Sequence, residues 1–366
     1  MGNGEKILVA GAGPAGLLTS LYIDNHDVVL VEEHSEVGKP KHCAGFIGEL
    51  TVKRYASLLG WSVIDHKYNV VVFHTPRGAY TLYFHKPLIY HINRPLLEEK
   101  LLDKVLSKGH EIIFNTRVKP GDKPGKVFLG DKELVVDKII AADGPHSVFR
   151  KKYFGKHKEW LRGVQYIYRA SNLDSSTVHT LFNEYTPDFF QWLAPLDHDT
   201  VLIGFASKEY RVHPDKIVNY ISRKTGVKLG SKLEVFGGVI PYDKPLEDPI
   251  IDDKIYFIGD SVPLIKPYTG GGLVAISLAG PALGLSIKYG DPSLYRRIYR
   301  LIGSRIIYEY FATNLARRFG YWIPPYIVYH LYRLGILTPT DYDNHYRLLF
   351  KSLPLSLYLI YKLVRP

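Results

Sequence analysis

With 366 residues, 46% of them hydrophobic and 23% charged, the chain can form two or three packed units, and its composition excludes a largely disordered protein. A formal charge of +11 favours anionic partners. There is no zinc-type His/Cys spacing and no RNA-binding signature, and the basic residues are interleaved with Tyr, Leu and Ile, so no metal site and no nucleic-acid partner are expected. One cysteine, Cys43, excludes an internal disulfide and fits a cytoplasmic protein, and the scarcity of Met and Gln leans toward a thermophilic source. The start of the chain has neither the apolar core of a signal peptide nor a myristoylation pattern.

In chain order, residues 6–10 read as an apolar strand, 14–23 as a helix and 27–32 as a second strand, the βαβ order of a parallel sheet. The turn between the first two is Gly11-Ala12-Gly13-Pro14-Ala15-Gly16, and Glu32 closes the second strand. Gly11 permits the tight turn, Gly13 lets the backbone approach a pyrophosphate, and Gly16 lets helix and strand pack closely. The helix start favours the anion, and Glu32 can accept from a ribose hydroxyl. A dinucleotide site is therefore predicted here.

Farther along, residues 94–106 carry Leu97, Leu101, Leu102 and Val105 at helical spacing, with Asn93 as cap and Pro95 in the first turn. Strand character follows at 111–115, 126–129 and 133–142, a meander returning to the sheet. Residues 68–90 and 163–238 alternate apolar and polar positions with many aromatics, as half-buried antiparallel strands do, and are expected to form one second domain from two insertions. The uncharged stretch 267–287 is long enough for a membrane span, but its five glycines and Pro281 read better as a buried loop and helix. Beyond residue 290 the pattern is helical, broken at Pro324-Pro325 and at Pro354. Segments 294–319, 327–337 and 353–364 mix Leu, Ile and Tyr with Arg and Lys, as helices lying on a membrane surface do, though a helical cap on the second domain explains them equally.

Three later motifs distinguish one dinucleotide from another. Ala142-Asp143-Gly144-Pro145 ends a strand in a tight turn, with Ser147 and Arg150 beyond it. Ile255-Tyr256-Phe257-Ile258-Gly259-Asp260 is a strand whose final Asp can reach the ribityl hydroxyls of a flavin, and Lys266-Pro267-Tyr268-Thr269-Gly270-Gly271-Gly272 starts a helix at Leu273 whose positive end suits an anionic reduced flavin. In this order the motifs resemble the flavoprotein family that includes para-hydroxybenzoate hydroxylase, lycopene cyclase and geranylgeranyl reductase, over roughly residues 5–290. The resemblance implies an α/β fold: a Rossmann-type FAD-binding domain (1–66, 94–158, 250–290), an inserted antiparallel-sheet substrate domain (67–93, 159–249) and a C-terminal helical region (291–366). It implies FAD without a second nucleotide unit for NAD(P)H, with Arg94 near the flavin and Val118 and Ala44 among the contacts.

Within that family the Thr-Gly-Gly-Gly loop is closer to the reductases than to the hydroxylases, and Cys43-Ala44-Gly45 lies where reductases carry a Cys-Gly or Cys-Ala-Gly turn facing the flavin. A third reductase signature, Pro-x-x-Tyr-x-Trp-x-Phe-Pro, is matched in register by Pro187, Trp192 and Pro195, while Phe190 replaces its Tyr and Ala194 its Phe. That departure removes a hydroxyl and widens the implied pocket. The implied activity is saturation of C=C bonds in a geranylgeranyl lipid by hydride from reduced flavin, with the proton donor open between Cys43, Tyr268 and water. The implied partners are an isoprenoid lipid, a membrane surface and an external electron donor, reduced ferredoxin or NAD(P)H. A flavin monooxygenase and a redox-neutral flavoprotein such as a cyclase are the competing readings.

Overall fold

The computed structural model describes residues 4–364, with side chains placed for all of these except Phe319 and residues 356–364. The first sheet has six strands in the order Ile250–Ile251, Ile255–Phe257, Lys138–Ala141, Lys6–Ala10, Asp27–Val31, Glu111–Ile113, all parallel to their neighbours except the first pair. Strands buried on both faces need continuous apolar runs, which Ile7-Leu8-Val9-Ala10 and Ile139-Ile140-Ala141 supply. Helix α1 (Pro14–Ser20) follows the first strand, α2 is Glu49–Leu59, and α3 (Arg94–Leu106) leads into the edge strand. Asn93 caps α3 as the sequence suggests, its side chain accepting from the Leu96 N–H at 3.2 Å. A three-stranded meander of Val118–Pro120, Lys126–Leu129 and Lys132–Val135 returns the chain to the sheet, so the predicted strand 133–142 is two strands. Helix α4 (Val148–Phe154) follows the return.

The second large sheet has seven strands in the order Lys228–Pro241, Trp160–Ser171, Thr200–Ser207, Gln191–Pro195, Thr177–Leu181, Val70–Thr75, Gly78–Tyr83, drawn from two separate stretches of the chain. It is mixed: Val70–Thr75 runs parallel to Thr177–Leu181, where the sequence pattern suggested antiparallel neighbours only. Alternation decides its faces. Tyr166, Tyr168, Leu181, Leu193, Ile203 and Phe205 pack with Ile217, Val218 and Ile221 of helix α5 (Pro214–Thr225), while the residues between them face the other way. Helix α5 lies inside a segment read as strands throughout.

Helix α6 is Leu273–Tyr289, with Pro281 within it, and α7 is Pro292–Phe319. Helix α6 packs on α1 so closely that a side chain on Gly284 would collide with the backbone and Cβ of Tyr22. That is the buried helix predicted for 267–287, and among the described residues no helix is long and apolar enough to cross a membrane. Helix α8 is Ile323–Arg333, with Pro324 and Pro325 in its first turn, where proline is tolerated. Helix α9, His345–Val364, continues through Pro354, which the sequence reading took as a break. The outer part of the predicted surface segment 353–364 lies outside the described side chains. Asp343 ties this end of the chain to the first half: its carboxylate accepts from the Gly48 and Thr51 N–H groups at 2.9 Å each, capping α2 from almost 300 residues away.

Candidate functional site

One cavity of about 1600 Å³ runs from the ends of the parallel strands to the free face of the seven-stranded sheet. Single-ligand pockets are roughly 300–1,000 Å³, so this one has room for two molecules or one very long one. At its first end lie Gly11, Gly13, Pro14, Ala15 and Glu32. Gly13 begins α1 with no side-chain cap, and a Cβ placed on it would meet no protein atom within 4 Å, so the space in front of it is open. Gly16 does not line the cavity; any side chain there would overlap the Gly11 carbonyl oxygen, which fits its predicted packing role. Glu32 accepts from the Ala12 N–H at 2.9 Å through Oε2 and from the His34 N–H at 3.1 Å through Oε1, which fixes its carboxylate at the strand end.

The turn at Asp143-Gly144 and the segments Gly259-Asp260 and Gly270-Gly271-Gly272-Leu273 reach the same cavity, as do Arg94, Val118, Cys43 and Ala44. Asp143 caps α4 by accepting from the Val148 N–H at 2.8 Å, and its other oxygen is buried without a partner. Burial pushes the carboxyls of Asp143 and Asp260 above their ordinary range; for Asp260 the charge of Arg94 works in the opposite direction. Arg94 is held by Glu98, its Nη2 donating at 2.6 Å, so it is a positioned cation at the cavity wall rather than a free surface arginine. Gly272 begins the seventeen-residue α6, again without a side-chain cap. Open space before the uncapped start of α1, a second uncapped helix start on the same cavity and two carboxyl groups beside them fit a dinucleotide carrying a pyrophosphate and hydroxyl groups.

Arg150 is absent from the cavity lining; it is buried and donates to the Ser261 carbonyl at 3.2 Å, holding the Gly259-Asp260 turn. Cys43 is exposed at the cavity wall, with the Gly45 N–H donating to its Sγ at 3.4 Å. It is therefore no buried core residue.

At the other end, Gln165 and Ile167, Val178 and Thr180, and Phe190 and Trp192 project from the free sheet face into the cavity. Phe190 stacks on Phe189 with ring centroids 4.4 Å apart and meets Trp192 edge-on at 5.7 Å and Tyr268 at 6.4 Å. Trp192 lies flat across its register partner Gly204, the one residue type that leaves room for the ring. Pro187 and Pro195 do not line the cavity; Pro195 is buried in its strand, with its carbonyl accepting from the Tyr68 hydroxyl at 2.6 Å. Tyr268 does line it, and its hydroxyl is buried without a hydrogen-bond partner.

The third wall comes from the C-terminal helices: Tyr308, Glu309, Thr313, Trp322, Tyr342 and His345 line the cavity. None of these was singled out from the sequence. A signal existed for Glu309, the one acidic residue of a 28-residue helix that carries six arginines.

None of the known protein-family profiles matches the chain. Among curated proteins it is 22% identical to digeranylgeranylglycerophospholipid reductase 3 of Methanosphaera stadtmanae over 87% of this chain and 85% of that one. It is 26% identical to the digeranylgeranylglycerophospholipid reductase of Methanoculleus marisnigri (75% and 74%), and 27% identical to an uncharacterized protein of Methanocaldococcus jannaschii (77% and 74%). Among solved structures, a geranylgeranyl bacteriochlorophyll reductase-like protein from Thermoplasma acidophilum superposes with a TM-score of 0.70 at 18% identity, covering 93% of this chain and 90% of that one. The flavin-dependent halogenase CmlS gives 0.59 at 18% identity, over 83% and 63%. These structural likenesses are of fold. The chain is a homologue of the archaeal digeranylgeranylglycerophospholipid reductases, built on the fold of the geranylgeranyl reductase-like flavoproteins.

Proposed function

We propose that the protein is an FAD-dependent reductase that saturates C=C bonds of geranylgeranyl chains in membrane-lipid precursors. The observation that carries this reading is the continuity of one cavity from the glycine-rich turns to the aromatic sheet face. An isolated alkene offers no polar handle, so a protein that reduces it must hold the chain by area, at about 25 cal/mol per Å² of apolar surface removed from water. Phe190, Trp192, Ile167 and Val178 offer such area. The names of the relatives point to the same substrate class.

The division of labour follows the sheets: residues 1–66, 94–158 and 250–290 hold the cofactor, 67–93 and 159–249 the lipid, and 291–366 close the cavity. Gly11, Gly13 and the start of α1 would hold the pyrophosphate and Glu32 the adenosine ribose. Asp260 would take the ribityl hydroxyls, and Gly270-Gly271-Gly272 with the start of α6 would lie against the ring. Bound flavin supplies the electron pair for alkene reduction. The chain itself positions the alkene, excludes water and stabilises positive charge on carbon with ring faces.

Tyr308, Leu315, Phe350 and Leu353 are each at least half exposed and also line the cavity, so its mouth is apolar. Together with the charge of +11, that mouth fits peripheral contact with an anionic membrane from which the lipid enters. Electrons come from an external donor, reduced ferredoxin or NAD(P)H.

Product analysis with and without air tests the reading. A reductase yields saturated lipid under argon and takes up no O₂ in step with substrate. Oxygen consumed in proportion to a hydroxylated product would instead identify a monooxygenase.

A further inference from the structure

The cavity wall formed by the C-terminal helices contains polar groups to which the cofactor motifs give no task. Glu309, in the middle of α7, is 6% exposed, and its Oε2 has no hydrogen-bond partner. His345, at the start of α9, is 9% exposed, and its Nδ1 also lacks a partner while lying 3.8 Å from that oxygen. The unpartnered Tyr268 hydroxyl belongs to a ring that meets the His345 ring edge-on, with centroids 6.3 Å apart. All three residues line the cavity. An unmade hydrogen bond on a buried polar atom costs about 1–3 kcal/mol, so two on this wall, with a third on the loop facing it, need a reason beyond packing.

A structural ion pair is the ordinary explanation, and Lys266 is the cation to consider. Its ammonium donates to the Tyr342 carbonyl at 2.9 Å and sits over the Tyr342 ring, and it acts on Glu309 through its charge and not through a direct ion pair. Of the other charges nearby, Arg305 lies one turn earlier on α7, and Asp343 is engaged in capping α2. Burial pushes the Glu309 carboxyl up to about 7, against the opposing pull of Lys266, the Tyr346 backbone N–H and Arg305. Burial also lowers Lys266 and holds His345 well below its ordinary value, so His345 is neutral and can pass a proton without keeping it.

We propose that Glu309 is the acid that completes alkene reduction, with His345 placed to return a proton to it. This rests on the reductase reading and supplies the proton source that the sequence left open. One new C–H bond takes its electron pair and its proton from the reduced flavin, which is thereby oxidised. The other forms from the alkene π pair and the Glu309 proton, leaving a carboxylate that His345 reprotonates from solvent. Tyr268 is a poorer source because burial raises its phenol further above neutrality. Cys43 lies exposed in the loop after the ribose-binding strand.

The test uses E309Q, which keeps size and neutrality but has no acidic proton, together with E309D. In flavin-free, lipid-free protein, infrared difference spectra should show a protonated carboxyl band that titrates near pH 7 in the wild type and is missing from E309Q. In anaerobic single turnover of the FAD-loaded protein on a geranylgeranyl lipid, E309Q should bind flavin and lipid normally yet lose about 10²-fold or more in rate. E309D should recover part of that loss. Wild-type turnover should fall tenfold per pH unit above neutrality. A missing carboxyl band, or an E309Q rate equal to wild type, overturns the assignment of Glu309 and leaves the reductase reading standing. A wild type that reduces no lipid overturns both.

Discussion

Substituting Gly204 by alanine probes the lipid end of the cavity without touching any cofactor motif. An added Cβ would fall 2.7 Å from Nε1 of Trp192 and nearer still to its six-membered ring, where ordinary contact begins at 3.4 Å. The nearest ring atom, Cζ2, would lie 2.2 Å away, so the ring must move by at least about 1.2 Å to reach ordinary contact. Overpacking in a closed core costs about 1–3 kcal/mol. Here the ring can yield into the cavity, so a loss near 1 kcal/mol is expected in urea unfolding. The displaced ring occupies space that the lipid needs, which should raise the KM for geranylgeranyl lipid about fivefold, the factor equivalent to about 1 kcal/mol. Flavin content should be unchanged. Trp192 emission, read against a Trp192→Phe background, should shift as the ring changes surroundings. If KM and emission both stay as in the wild type, Trp192 does not form part of the lipid wall.

Three further outcomes follow from the geometry. Gly13→Ala should fold normally, because no protein atom lies within 4 Å of the added Cβ, but it should purify without FAD and resist reconstitution; Gly16→Ala should instead lose stability through collision with the Gly11 carbonyl. Glu309 has a folded-state value of about 7 against an ordinary 4.5, so the stability linked to its proton is complete below about pH 4.5 and is lost as pH rises through 7. Across that window E309Q should gain on the wild type by on the order of 3 kcal/mol, from 2.5 units at about 1.36 kcal/mol each, and parallel stability curves would contradict the buried acid. Asp343→Ala should cost about 1–2 kcal/mol by uncapping α2 and should expose the 338–351 segment to proteolysis, whereas unchanged protease resistance would mean that the segment is anchored elsewhere.

The parts of this molecule that can be read from sequence are those whose causes are local. Gly11 to Gly16 needs only its own strand and helix to announce a turn, and Asn93 caps the helix that starts at the next residue by accepting from an N–H three residues ahead. Pairing between distant strands leaves no local mark: nothing in Val70–Thr75 says that it lies parallel to Thr177–Leu181, because an apolar face serves either direction. Helix α5 was hidden because Ile217, Val218 and Ile221 form a short apolar stripe within a segment dominated by alternating strands. Pro354 misled because proline disfavours a helix interior without forbidding it. In the site, the glycine turns carry backbone constraints that only certain residues satisfy, so they show in the sequence. Glu309 and His345 come together only when α7 and α9 pack, and each alone is an ordinary side chain.

The proposed function requires that the cavity hold a redox flavin at one end and a geranylgeranyl chain at the other. Its most direct test is anaerobic: protein loaded with FAD is reduced, mixed with digeranylgeranylglycerophospholipid, and followed by flavin absorbance and product mass. The oxidised flavin spectrum should return in the absence of oxygen, with one pair of hydrogens gained by the lipid for each flavin oxidised. A flavin that stays reduced until air is admitted, with the lipid unchanged, would contradict it.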